Sequence, residues 1–153
     1  MMPLHLFYDF DAPARADALV TMRDAQGDEL YDKFETLCEM LAWGAFFKFK
    51  VGKMPQRCGG ILRSDHPDLL SLLDPLMSAL GFTKPIPAGP FCRLYDRTDA
   101  AMVCSGIPRQ GSDNVQAFEL GGSNAGVLRK ILGEIAIESS LKVKINDWAP
   151  AIQ

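Results

Sequence analysis

The sequence predicts a single α+β domain over residues 1–153, with a mostly antiparallel sheet and helices packed mainly on one of its faces. Three observations lead there. Segments of helical periodicity are mixed with segments that alternate at period two, and they lack the regular β-α-β rhythm of a parallel sheet. The clearest stretch, Phe118 to Ile145, reads as strand, helix, strand. At 153 residues, 48% hydrophobic and 23% charged, the chain is long enough for one core without disulfide or metal staples.

Within that stretch, Ala117 to Leu120 alternates as a short strand and Gly121-Gly122 stops it. Ser123 stands where a helix N-cap belongs. Val127, Leu128, Ile131, Leu132, Ile135 and Ala136 then recur as one helical stripe, with Arg129, Lys130, Glu134 and Glu138 opposite. Leu141 to Ile145 alternates strictly, the pattern of a half-buried strand.

From the start of the chain, Leu4 to Phe10 reads as a strand, followed by a helix over Ala12 to Asp24 capped by Asp11. A stronger helix is expected over Glu29 to about Ala45, with Leu30, Phe34, Leu37, Cys38, Leu41 and Ala45 on one face and Asp32, Glu35 and Glu39 on the other. Phe47 to Val51 alternates as a strand, and Met54 to Leu62, with Pro55 and Gly59-Gly60, reads as a loop. Asp65-His66-Pro67 opens a helix with Leu69, Leu72, Leu73, Leu76 and Leu80 inward, kinked or divided at Pro75 and ended by Gly81. Thr83 to Pro90 is a stiff connector. Phe91–Tyr95 and Ala100–Ser105 form a hairpin whose three-residue loop sets Cys92 opposite Cys104 and Leu94 opposite Met102. Ile107 to Gln116 reads as a polar surface loop.

Composition removes several function classes. The longest strongly apolar run, Leu41 to Phe47, is far short of the roughly 20 residues of a spanning helix, so no membrane association is expected. The first residues lack the basic start of a signal peptide. Cys38, Cys58, Cys92 and Cys104 show no CxxC spacing and have only His5 and His66 for company, which speaks against a structural metal and for a reducing cytoplasm. No cofactor motif is present, since Gly121 to Gly126 lacks both a Walker Lys and the G-x-G-x-x-G pattern. A pI near 5.3 argues against nucleic acid as a partner.

Two candidate sites remain. Cys104 ends a strand and is followed by Arg109, and a thiolate beside a cation is how reactive cysteines are built. Together with Ser123 and Asn124 of the Gly121–Gly126 turn, a potential anion cradle, they make the candidate site of a small thiol enzyme or small-ligand binder. The second candidate is charge. Residues 1–39 carry a net −6 and residues 40–64 a net +5. An acidic helical face of Asp32, Glu35 and Glu39 suits a basic protein partner. The function expected is therefore a non-catalytic, immunity- or inhibitor-like binding protein. Trp148 in the tail is as well suited to anchoring a homodimer as to folding back on the core.

Overall fold

A computed structural model describes residues 5–9, 19–23, 30–87, 89–106 and 114–150. Among these residues eight strands and three α-helices follow one another as β1 (His5–Asp9), β2 (Leu19–Arg23), β3 (Leu30–Phe34), α1 (Leu37–Phe49), β4 (Gln56–Ser64), α2 (Leu69–Ala79), β5 (Cys92–Arg97), β6 (Ala100–Gly106), β7 (Asn114–Gly122), α3 (Ala125–Glu138) and β8 (Lys142–Ala149). The last five strands make an antiparallel sheet in the order β5-β6-β7-β4-β8. The first three make a small antiparallel sheet of their own. The fold is α+β, as expected.

The faces of the large sheet differ. Cys58, Leu62, Met102, Cys104, Phe118 and Leu120 point to the face covered by α2 and α3, where the main core lies with Leu69, Leu73, Met77, Leu128, Ile131 and Ile135. Leu94, Ala101 and Val103 point to the other face and meet α1 through Ala42, Trp43, Phe46 and Phe47. Two of the three helices thus share one face. α1 covers only the β5–β6 side of the second.

α2 and α3 arise where the apolar stripes put them. Gly81 ends α2 in the left-handed region at φ 90°, with Phe82 N–H bonded to Met77 O and Gly81 N–H to Ser78 O. That is a Schellman stop, sealed by two core residues, Phe82 and Met77. Pro75 sits inside α2 without dividing it. The cap of α3 is Asn124 and not Ser123: the Asn124 side chain accepts from Val127 N–H at 3.0 Å.

Several expectations are corrected. The part of the expected 12–24 helix that is described, Leu19–Arg23, is a strand held between β1 and β3; the rest lies outside the described residues. The expected 29–45 helix begins at Leu37, because Thr36 caps it and Leu30–Phe34 pairs with β2. The helix then runs on through the expected strand at 47–51 as far as Phe49. The expected loop at 54–62 is mostly β4, the strand that joins β7 to β8. Of the expected 107–116 loop, Asn114 to Gln116 begins β7, and 107–113 lies outside the described residues. Gly121-Gly122 does not stop β7 but ends it in register with Ala100 and Ala101.

The hairpin is one residue out of the expected register. Its turn is Thr98-Asp99, so Cys92 faces Ser105, Arg93 faces Cys104 and Tyr95 faces Met102. A slip of one residue exchanges the faces. Arg93, not Cys92, therefore points with Cys104 toward α2.

Candidate functional site

One row of side chains crosses the sheet on the α1 face: Leu94, Val103, Glu119, Gly59 and Asp147, each opposite the next on β5, β6, β7, β4 and β8. Its first two members are apolar and lie under α1. Beyond the helix the row becomes acidic, and the floor is open. A groove of about 380 Å³ runs there, walled by Trp43 and Phe47 of α1 and by Ile61 and Ala117, with Glu119 and Asp147 at its base. Trp43 and Phe47 pack ring against ring, centroids 5.5 Å apart. Among the described residues the buried Trp43 indole N–H has no hydrogen-bond acceptor.

Two local features bring the carboxylates together. Gly59 supplies no side chain between them: a Cβ at Gly59 would stand 2.5 Å from Glu119 Oε1 and 2.8 Å from Asp147 Oδ1. β8 also carries a bulge. Gly59 pairs with Asp147 but Gly60 pairs with Ile145, which leaves Asn146 as the extra residue. A bulge shifts the phase of a strand. Past it, Trp148 turns onto the core face and Asp147 onto the groove face; strict alternation from Lys142 would do the opposite.

The electrostatics follow from that placement. Burial raises the Glu119 carboxyl most, Asp147 raises it further and Arg57 offsets part of this, so it is pushed up to about 7. Two like charges across a glycine are costly when both are ionised, which adds to the larger cost of burying the Glu119 carboxylate. What this arrangement can do chemically is accept a cation, or exchange a proton near neutral pH.

The candidates read from sequence are distributed otherwise. Asp32 lies on β3, so Asp32, Glu35 and Glu39 do not share a helical face. Glu35 precedes α1 and Glu39 is in its first turn, where Thr36 Oγ1 accepts from Glu39 N–H at 3.0 Å and Glu39 Oε1 accepts from Glu35 N–H at 3.0 Å. Those two carboxylates come together beside Gly89, lining a second, smaller cleft. Cys104 is fully buried, and burial, with Cys92 next, pushes its thiol far up, away from thiolate character. Arg109 lies outside the described residues. Ser123 is exposed and Asn124 is occupied as a cap.

Glu119 and Asp147 carried no signal as a pair in the sequence. Gly59-Gly60 is the signal that could have found them, once Gln56–Ser64 is known to be a strand, since glycines inside a strand mark a bulge or a close approach. A Cβ at Gly60 would run into the carbonyl of Lys144.

Among the described residues no group of three or more His, Cys, Asp or Glu is arranged to hold a metal ion, and no helix is long and apolar enough to cross a membrane. Set against protein-family models, curated proteins and solved structures, the chain matches none of them.

Proposed function

We propose that this is a non-catalytic binding protein that recognises a basic protein partner by taking one of its Lys or Arg side chains into the groove between α1 and the sheet. The observation that carries this reading is the Glu119–Asp147 pair held together across Gly59 at the base of an aromatic-walled groove. A cation placed there supplies a counter-charge to a carboxylate that burial raises first and Asp147 raises further. Trp43 and Phe47 offer the alkyl stem an apolar wall and the cation an aromatic face. The reading keeps the basic partner expected from charge but moves its recognition from Asp32, Glu35 and Glu39 to Glu119 and Asp147.

The groove volume also lies within the range of small-molecule sites, which favours a free organic amine as the second reading. Calorimetric titration separates the two. Lys- and Arg-containing peptides are compared at about pH 8 with the same peptides acetylated or citrullinated, and with benzylamine. Binding of the unmodified peptides, weakened about tenfold or more in the Glu119→Gln/Asp147→Asn double variant, supports the proposal. Binding of benzylamine alone supports the second reading. Basic peptides that bind the double variant as well as the wild type would remove the groove from both. Because a cation prefers ionised Glu119, affinity should rise with pH through about 7.

A further inference from the structure

The outer face of α1 is apolar where an outer face is normally polar. Cys38, Leu41, Ala45 and Phe49 follow at helical spacing and all are exposed, Leu41 by 56% and Phe49 by 64%. At about 1.5 Å per residue the stripe is roughly 16 Å long. At its start lies the second cleft, about 270 Å³, between the first turns of α1 and the segment carrying Ile86, Pro87 and Gly89. Its walls are Cys38, Ala42, Ile86 and Pro87, and Glu35 and Glu39 contribute its carboxylates. That volume falls just below the usual range of small-molecule sites and suits one large side chain. At the other end of the stripe Phe49 projects, with Lys48 Nζ 5.3 Å from its ring centroid.

We propose that a second copy of this chain covers this face, packing α1 antiparallel against α1 so that the Phe49 of each copy enters the Cys38–Ala42–Ile86–Pro87 cleft of the other. An isologous pair needs one patch to hold both halves of the contact, and this patch does: an aromatic knob at one end and an apolar hole at the other. Charge selects the antiparallel sense. The start of α1 is acidic through Glu39 in its first turn and Glu35 just before it, while Lys48 and Lys53 make its far end basic, Lys50 there being paired with Asp96 at 3.2 Å. Antiparallel pairing sets unlike ends and opposed helix dipoles side by side; parallel pairing sets like ends together. Each Phe49 carries its Lys48 toward the carboxylates of the partner's cleft. Ala45 at mid-stripe lets the helices approach closely. The groove holding Glu119 lies on the inner side of α1 and stays open in this pair.

The test is sedimentation equilibrium of the full chain. The wild type should be a reversible dimer. Phe49→Asp, a change at an exposed position that sets a new carboxylate against Glu35 and Glu39, should raise the dissociation constant at least about tenfold with an unchanged circular dichroism spectrum. Lys48→Glu should weaken it less and make the remaining association less dependent on salt. In F49C, mild oxidation should link position 49 of one copy to Cys38 of the other, read by peptide mapping. A monomeric wild type, a dimer indifferent to Phe49→Asp, or linkage mapped between two copies of Cys38 would overturn the proposal.

Discussion

Asp74 and Glu119 are both partly buried carboxylates on opposite faces of one sheet, and they are solved in opposite ways. Asp74, on α2, accepts from Arg93 Nε at 3.0 and 3.1 Å and from Tyr95 OH at 2.6 Å, with Lys84 Nζ 3.8 Å away. Arg93, itself buried, also donates from Nη1 to the carbonyls of Gly89 and Cys92. Every charge there has a partner, and the result is a clamp between α2 and β5. Glu119 is raised first by its own burial and further by the carboxylate of Asp147 beside it, with only a partial offset from Arg57, and is pushed up to about 7. A buried charge with its counter-ion is structure. A carboxylate buried beside its like is a cost that Arg57 offsets only in part and that a bound cation would lower further, which is why the second face and not the first is read as the site.

The comparison breaks most visibly at Asp74. Asp74→Ala leaves the Arg93 guanidinium buried without its carboxylate and removes the acceptor of Tyr95. Chemical denaturation should show a loss of about 3–5 kcal/mol. Asp74→Asn, which keeps an acceptor for Tyr95, should lose less. A loss under about 1 kcal/mol in Asp74→Ala would mean that solvent already screens the clamp.

Glu119→Gln should act in the other direction. The unfolded carboxyl titrates near 4.5 and the folded one near 7, so the folded state holds its proton more tightly. Stability from this group is therefore complete at low pH and is lost as pH rises from about 4.5 to about 7. Glutamine removes that loss. The variant should exceed the wild type by about 2 kcal/mol near pH 8, allowing for solvent screening, and by almost nothing near pH 4. Denaturation at the two pH values checks it. A wild type as stable as the variant at both would mean that Glu119 is not raised.

The same contrast explains what the sequence made legible. α3 and the α2 leucines were readable because each buries a continuous stripe whose spacing is local: Leu128, Ile131, Leu132 and Ile135 need no knowledge of their partners. The start of α1 was readable in principle, since Thr36 and Glu39 have the spacing of a capping box, but the leucines and phenylalanines running through β3 into α1 mimic one long helix. The hairpin register was not readable. It turns Arg93 inward, and its counter-charge there, Asp74, lies nineteen positions away in sequence. The groove was hidden twice over. Glu119 and Asp147 meet across β4, whose glycines read as loop, and Asp147 faces the groove only because Asn146 bulges. Local periodicity reports a side chain's face, not what a distant strand sets beside it.

The smallest effect on stability is expected from Gly59→Ala, and it is the most discriminating change. The neighbouring Gly60→Ala would press a methyl into the backbone carbonyl of Lys144, which has nowhere to go. At Gly59 the obstacles are Glu119 Oε1 and Asp147 Oδ1, the ends of two side chains that can swing apart. Alanine also recovers some of the roughly 0.5–1 kcal/mol that glycine costs inside a strand. Denaturation should therefore place Gly59→Ala within about 1 kcal/mol of the wild type. Its affinity for a basic peptide should nonetheless fall about as far as that of Glu119→Gln, because a cation between spread carboxylates meets one of them well and not both. The two variants then separate charge from geometry: one gains stability and loses binding, the other loses binding alone. Wild-type affinity in Gly59→Ala would show that the carboxylates act singly, and that the bare glycine between them is there for the sheet and not for the ligand.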